Sequence, residues 1–147
     1  VAPLMNYTTS VDVFKTVNEI QQLLVRHKAR NISMDYGTSG ELEAICFAIE
    51  RDGTLLYFRL PSNCQGVHKA LVIAGVQPRY RTMQHANKVA WRIVKDWVEA
   101  QIAVIESGQA SVEQAYFSYL LNPATGQTMF ESFCDRGHLT LGGTDGA

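Results

Sequence analysis

The sequence predicts an α+β domain: a small antiparallel β-meander, an N-terminal helix and a long amphipathic helix packed on one face of it, and short flanking helices. Three observations predict it. Between Thr82 and Gly108, Ala86, Val89, Ala90, Ile93, Val94, Trp97, Ala100 and Val104 recur at three- and four-residue steps, the period of a helix with one buried stripe. Between Ile32 and Leu60 the pattern changes to alternation interrupted by glycine turns, as in half-buried strands. Over residues 11–28 the helical period holds again, with Val13, Val17, Ile20 and Leu24 on one stripe. Helices gathered on one face of an antiparallel sheet define the class.

Taken in order, residues 3–9 predict a short strand or an extended arm. Ser10 has the residue type of a cap for the first helix, and Arg26, His27 and Lys28 suit the negative end of its dipole. Ile32, Met34 and Tyr36 alternate with Ser33 and Asp35 in a first strand. Leu42 to Glu50 forms a second, with Ile45, Phe47 and Ile49 on one face, and Asp52-Gly53 is a hairpin turn that leads to a third over Leu55–Leu60. Pro61 ends that strand because it has no amide to donate. The opposite sheet face, Ser33, Asp35, Ala44, Cys46, Ala48, Tyr57 and Arg59, is rich in small residues and is free either for solvent or for a subunit or ligand contact.

Ser62 is the expected cap of a short helix over 63–74. Thr82 caps the long helix, which Gly108 closes in the left-handed conformation. A second apolar row on that helix, Trp91, Val98, Ile102 and Ile105, implies contact on two sides. Ser111 and Gln114 have capping-box spacing and open a helix to about Leu121. A last helix is expected over Thr128–Asp135, with Met129, Phe130 and Phe133 docked on the core. The whole reads as one domain over 1–141, with a disordered tail at 142–147.

Composition narrows the functional classes. Cys46, Cys64 and Cys134 are an odd set without regular spacing, which argues against a disulfide framework and for a cytoplasmic protein. No apolar run approaches the ~20 residues of a membrane helix, and nothing near Val1 has the form of a secretion signal, so no membrane association is expected. The net charge of -1 conceals an asymmetry. No acidic residue falls between Asp52 and Asp96, whereas Arg59, Lys69, Arg79, Arg81, Lys88, Arg92 and Lys95 do. Beyond Asp96 the acidic residues dominate.

Candidate chemistry is sparse. Cys64 lies in the first turn of a helix, where the dipole lowers a thiol pKa, with His68 one turn later; the bland alternative is a small residue near a helix start. His27, His68, His85 and His138 are scattered, and Asp35, Glu41, Glu43 and Glu50 read as hairpin charges rather than a metal site. No phosphate-binding glycine loop or nucleophile elbow is present, so no catalytic residue, metal or cofactor is assigned. The basic centre is the stronger signal. Arg79 and Arg81 flank Tyr80 ahead of the long helix, and Lys88, Arg92 and Lys95 form a stripe along it. Such a stripe can follow a phosphate backbone, with Tyr80 stacking on a base. Tyr57 and Arg59 form a second candidate patch. The alternative is that the cations pair with Asp96, Glu99 or the acidic C-terminal third.

Three segments, Glu19-Ile20-Gln21-Gln22-Leu23-Leu24, Phe58-Arg59-Leu60-Pro61 and above all Val89-Ala90-Trp91-Arg92-Ile93-Val94-Lys95-Asp96-Trp97-Val98-Glu99-Ala100-Gln101, resemble a family of small uncharacterised proteins from phages, prophages and other mobile elements. The resemblance spans roughly Val11 to Glu131. It implies a setting, mobile DNA in a bacterial cytoplasm, and no activity. The leading expectation is therefore a non-enzymatic accessory protein that binds nucleic acid or another anionic partner through residues 79–95. The alternative is a protein-interaction module, a homodimer through Trp91, Val98 and Ile102 or an inhibitor of a host or phage protein. A small-molecule-binding protein or enzyme comes third.

Overall fold

The computed structural model describes residues 3–136, so the expected tail at 142–147, and His138, lie outside the described residues. Helix α1 (Val13–Arg26) is followed by strands β1 (Arg30–Tyr36), β2 (Leu42–Arg51) and β3 (Thr54–Pro61), then by helices α2 (Cys64–Ile73), α3 (Met83–Glu106), α4 (Val112–Tyr116) and α5 (Met129–Asp135). The strands form one antiparallel sheet in the order β1-β2-β3. The β2–β3 turn needs positive φ twice, at Asp52 and Gly53, and the Asp-Gly pair supplies both. This is the α+β meander with α1 and α3 packed together that the sequence predicts.

The register places Met34 opposite Ile45 and Ile45 opposite Leu60, then Phe47 opposite Phe58 and Ile49 opposite Leu56. These residues meet Val17, Ile20 and Leu24 of α1 and Trp91, Val98 and Ile102 of α3 in the main core. Phe47 and Phe58 stack at 5.3 Å, with Tyr116 edge-on to Phe47. A smaller core around Leu71, Val76 and Ala86 lies beneath α2, and Leu4 and Tyr7 of the N-terminal arm pack on it.

Several elements differ from expectation. Residues 5–8 form a turn, with Asn6 at φ 64°, instead of a strand. Asp12, not Ser10, stands before α1, and Asn63, not Ser62, caps α2 by accepting from the Gly66 amide. The Ser111–Gln114 capping box forms, but α4 stops at Tyr116 because the chain turns back to the sheet. The Leu121 amide donates to the Tyr57 carbonyl at 2.7 Å, and Leu120 pairs with Phe58, so part of the β3 edge is covered. Helix α5 ends at the expected Asp135, with Thr128 as its cap, yet Phe130 and Phe133 are both exposed and neither joins the core.

Candidate nucleic-acid interface

The long helix sets the geometry. Thr82 caps it by accepting from the His85 amide at 3.0 Å, and α1 and α2 flank it. On α3 the burial follows the main stripe only at its start, where Ala86, Val89 and Ala90 are buried, and then passes to the second row. Trp91, Val98 and Ile102 are buried, whereas Ile93, Val94 and Trp97 are half-buried and Ala100 is exposed. The row expected as a subunit interface is thus the seam against α1 and the sheet, and it is consumed within the chain. The outer stripe reaches the C-terminal segment, where Trp97 meets the rings of Tyr116 and Tyr119 at 5.4 and 5.5 Å.

The basic residues do not act together. Arg92 lies 19% exposed and donates to both carboxylate oxygens of Glu19, at 2.9 and 3.3 Å, and to Thr16 Oγ1 at 3.3 Å. That hydrogen-bonded pairing holds the Glu19 carboxyl below its usual range and raises the Arg92 guanidinium. Lys95 donates to Glu99 at 3.0 Å, with Asp96 at 3.8 Å. Both cations are therefore neutralised locally, Arg92 by α1 and Lys95 by its own helix. This is the pairing within the chain that the sequence left as the alternative for these two residues.

What is left lies at the start of α3. Pro78–Tyr80 form a single 3-10 turn. Tyr80 is wedged edge-on against Tyr7 at 5.5 Å and beside His85 at 5.1 Å, and His85 Nε2 lies within hydrogen-bond distance of the Tyr7 carbonyl. Tyr80 is thus a packing residue, not a free face for a base. Its outer surface carries Arg79, whose guanidinium carbon sits 4.7 Å from the ring centroid. Arg79 is exposed, Arg81 half-buried, and neither side chain makes an ion pair among the described residues. Lys88 lies one turn into α3, 3.6 Å from the exposed carboxylate of Asp12.

Arg79 and Lys88 line a cavity of about 490 Å³ between the starts of α1 and α3 and the β1–β2 turn. Phe14 and Tyr36 share its lining, at 76% and 55% exposure, together with the amides Gln84 and Asn87. Asp12 and Glu41 are its acidic members. The cavity borders a second, of about 480 Å³, which holds Glu41, Glu43 and Cys64. Sequence reasoning missed Phe14 and Tyr36, though one signal was available for Phe14. It lies off the Val13, Val17, Ile20 and Leu24 stripe, a large apolar ring on a polar helix face. Tyr36 reads as inward by alternation, but the register shifts between Asp35 and Tyr36 and the ring is exposed.

The remaining candidates separate cleanly. Tyr57 is 42% exposed on the outer sheet face, and Arg59 beside it pairs with Asp35 at 3.1 Å. Cys64 Sγ contacts the Met83 carbonyl, and burial, with Glu41 nearby, pushes its thiol up rather than down. His68 does not line the cavity that holds Cys64. Among the described residues no three His, Cys, Asp or Glu side chains converge as metal ligands, and no helix is long and apolar enough to cross a membrane. Fold and site together define an α+β domain with an aromatic-edged, partly cationic cleft at the N-terminus of its long helix. No family model matches the chain, and neither a curated protein nor a solved structure does.

Proposed function

We propose that this chain is a non-enzymatic accessory protein of a mobile element and binds nucleic acid through Arg79, Arg81 and Lys88. The carrying observation is the pair of arginines immediately ahead of α3 that make no ion pair among the described residues, one of them stacked on a packed tyrosine. Stacking fixes the Arg79 head group, so little side-chain entropy remains to be lost on contact with a phosphate. The dipole of a 24-residue helix adds positive potential at the same end. The resemblance of the Val89–Gln101 segment to mobile-element proteins supplies the setting. Fluorescence anisotropy with labelled oligonucleotides, over a salt series, tests the reading. Three phosphate contacts give a log–log salt slope of about -2 to -3, against about -3.5 to -4.5 for the full five-cation stripe. Absence of binding at low salt, or binding indifferent to Arg79→Glu with Arg81→Glu, refutes it.

A second reading rests on a different surface. Phe117 and Phe130, 52% and 57% exposed, flank a cavity of about 400 Å³ that Met129 also lines. An apolar patch of this kind suits a second copy or a host or phage protein. A particle mass equal to one chain at high concentration, together with no captured protein whose binding Phe117→Glu abolishes, removes it.

A further inference from the structure

Resting on that reading, we infer that the ligand is a single strand, held with one unstacked base in the cleft between α1 and α3. Duplex DNA hides its base faces and offers phosphates and, in its grooves, base edges. A surface built for it needs cations and has no use for exposed rings. This cleft places Phe14 and Tyr36, both largely exposed, beside Arg79 and Lys88 in one cavity of about 490 Å³. Aromatic faces next to backbone-tracking cations are the composition of single-strand sites, where each base has a π-face to stack and each phosphate a cation to meet. Gln84 and Asn87 add amides able to hydrogen-bond the edge of a base. The cleft volume falls within the ~300–1,000 Å³ of small-ligand sites, which suits one nucleotide better than a groove of duplex.

The occupant follows from continuity and charge. Arg79 belongs to the cleft, and Arg81 follows it two residues later, so a strand entering between Phe14 and Tyr36 leaves over the loop arginines. Asp12 and Glu41 oppose the phosphates. Asp12 is 79% exposed on its side chain and only 3.6 Å from Lys88, so a phosphate can take over that partner. An acidic peptide matches the cations equally well but has no use for the stacking rings. Rings and cations together favour the single strand.

The test compares a labelled ~12-nucleotide single strand, the same sequence as duplex, and a poly-glutamate peptide, on the full chain and on three variants. The single strand is expected to bind at least about tenfold tighter than the duplex. Phe14→Ala and Tyr36→Ala are each expected to weaken it about fivefold or more while leaving duplex binding unchanged, as for one lost base stack. Arg79→Glu with Arg81→Glu should weaken both nucleic acids. Phe14 is so exposed that its replacement leaves the fold intact, which a thermal melt verifies. Equal binding of strand and duplex, insensitive to Phe14→Ala and lost on reversing the arginines, overturns the single-strand inference and leaves the nucleic-acid reading standing. No binding of either nucleic acid overturns both. Poly-glutamate bound as tightly as the strand also overturns it and names an acidic protein segment instead.

Discussion

The Glu19–Arg92 pair decides whether the basic centre is a surface or a structural lock, and its removal is measurable. Arg92 gives Glu19 two charge-assisted hydrogen bonds and Thr16 a third, and the two charged side chains are 19% and 29% exposed. Fully exposed pairs contribute below ~1 kcal/mol. Hydrogen bonds to charged groups in shielded sites contribute ~1.5–3 kcal/mol. With both partners mostly covered, Arg92→Ala should cost about 2 kcal/mol. For a domain of this size ~1 kcal/mol corresponds to ~3–4 °C, so Tm should fall by about 6–8 °C. Lys95→Ala is the internal comparison: its Glu99 partner is 57% exposed and one helical turn away, so about 0.5 kcal/mol is expected.

The pH dependence follows from the sign of the shift. The folded state holds the Glu19 carboxyl below its ordinary range, chiefly through the hydrogen bonds from Arg92. Its stabilisation is therefore complete above the unfolded carboxylate pKa of ~4.3 and is lost as pH falls through the lower folded value. The Tm gap between the native chain and Glu19→Gln should be constant from pH 7 to about pH 5 and close below pH 4. A double-mutant cycle with Arg92→Ala and Glu19→Gln should show a coupling of about 1–2 kcal/mol. A Tm loss under ~2 °C for Arg92→Ala, or a cycle without coupling, refutes the lock. Arg92 would then return to the list of cations free for a ligand.

Other outcomes follow from the same packing. Trp91→Ala should cost about 3–5 kcal/mol and Ile102→Glu should prevent folding, because both side chains are buried within the chain; a folded variant of altered oligomeric size would contradict their placement. Asp12→Asn, which frees Lys88, should tighten nucleic-acid binding about two- to threefold at low salt, and weaker binding by anisotropy would count against Lys88 as a contact. Cys134 is exposed, whereas burial raises the thiols of Cys46 and Cys64, so mass spectrometry after brief iodoacetamide treatment at pH 7 should find Cys134 alkylated first. Tyr116→Phe should be neutral or slightly stabilising in a thermal melt, since the buried hydroxyl has no hydrogen-bond partner among the described residues.

Much of the fold was legible from local signals, although the caps expected at Ser10 and Ser62 fall instead to Asp12 and Asn63. Alternation set the meander, the Asp52-Gly53 pair set its hairpin, and Thr82, Ser111 and Thr128 cap their helices as residue type and spacing dictate. What was not legible needs knowledge of which elements touch. A 24-residue helix with apolar residues on two rows can bury either, and only the sheet and α1 select Trp91, Val98 and Ile102 as the inner one. Glu19 is 73 residues from Arg92, so no charge pattern along α3 could reveal that its central cation was already neutralised. Leu120 and Leu121 continue a helical period, yet the open β3 edge next to them has amide and carbonyl groups to satisfy, and that demand outweighs local propensity.

The candidate site shows the same division. Arg79, Arg81 and Lys88 could be named from charge patterning, because their charge belongs to the residue type, whereas the Asp12 carboxylate 3.6 Å from Lys88 comes from the packing of α1 on α3. Tyr80 could not be judged, because its ring faces are taken by Tyr7 from the N-terminal arm and by Arg79. Phe14 and Tyr36 come from two further elements and meet Arg79 only through the packing of α1 on α3 beside the β1–β2 turn. Tyr36 ends β1 beside a register irregularity, and its ring is exposed where alternation alone reads it as inward. Had Tyr36 stayed inward, the cleft would present one ring and two cations, and a duplex would be as good an occupant as a strand. The distinction between the two ligands therefore turns on the exposure of one ring, which makes Tyr36→Ala the variant on which the assignment depends most.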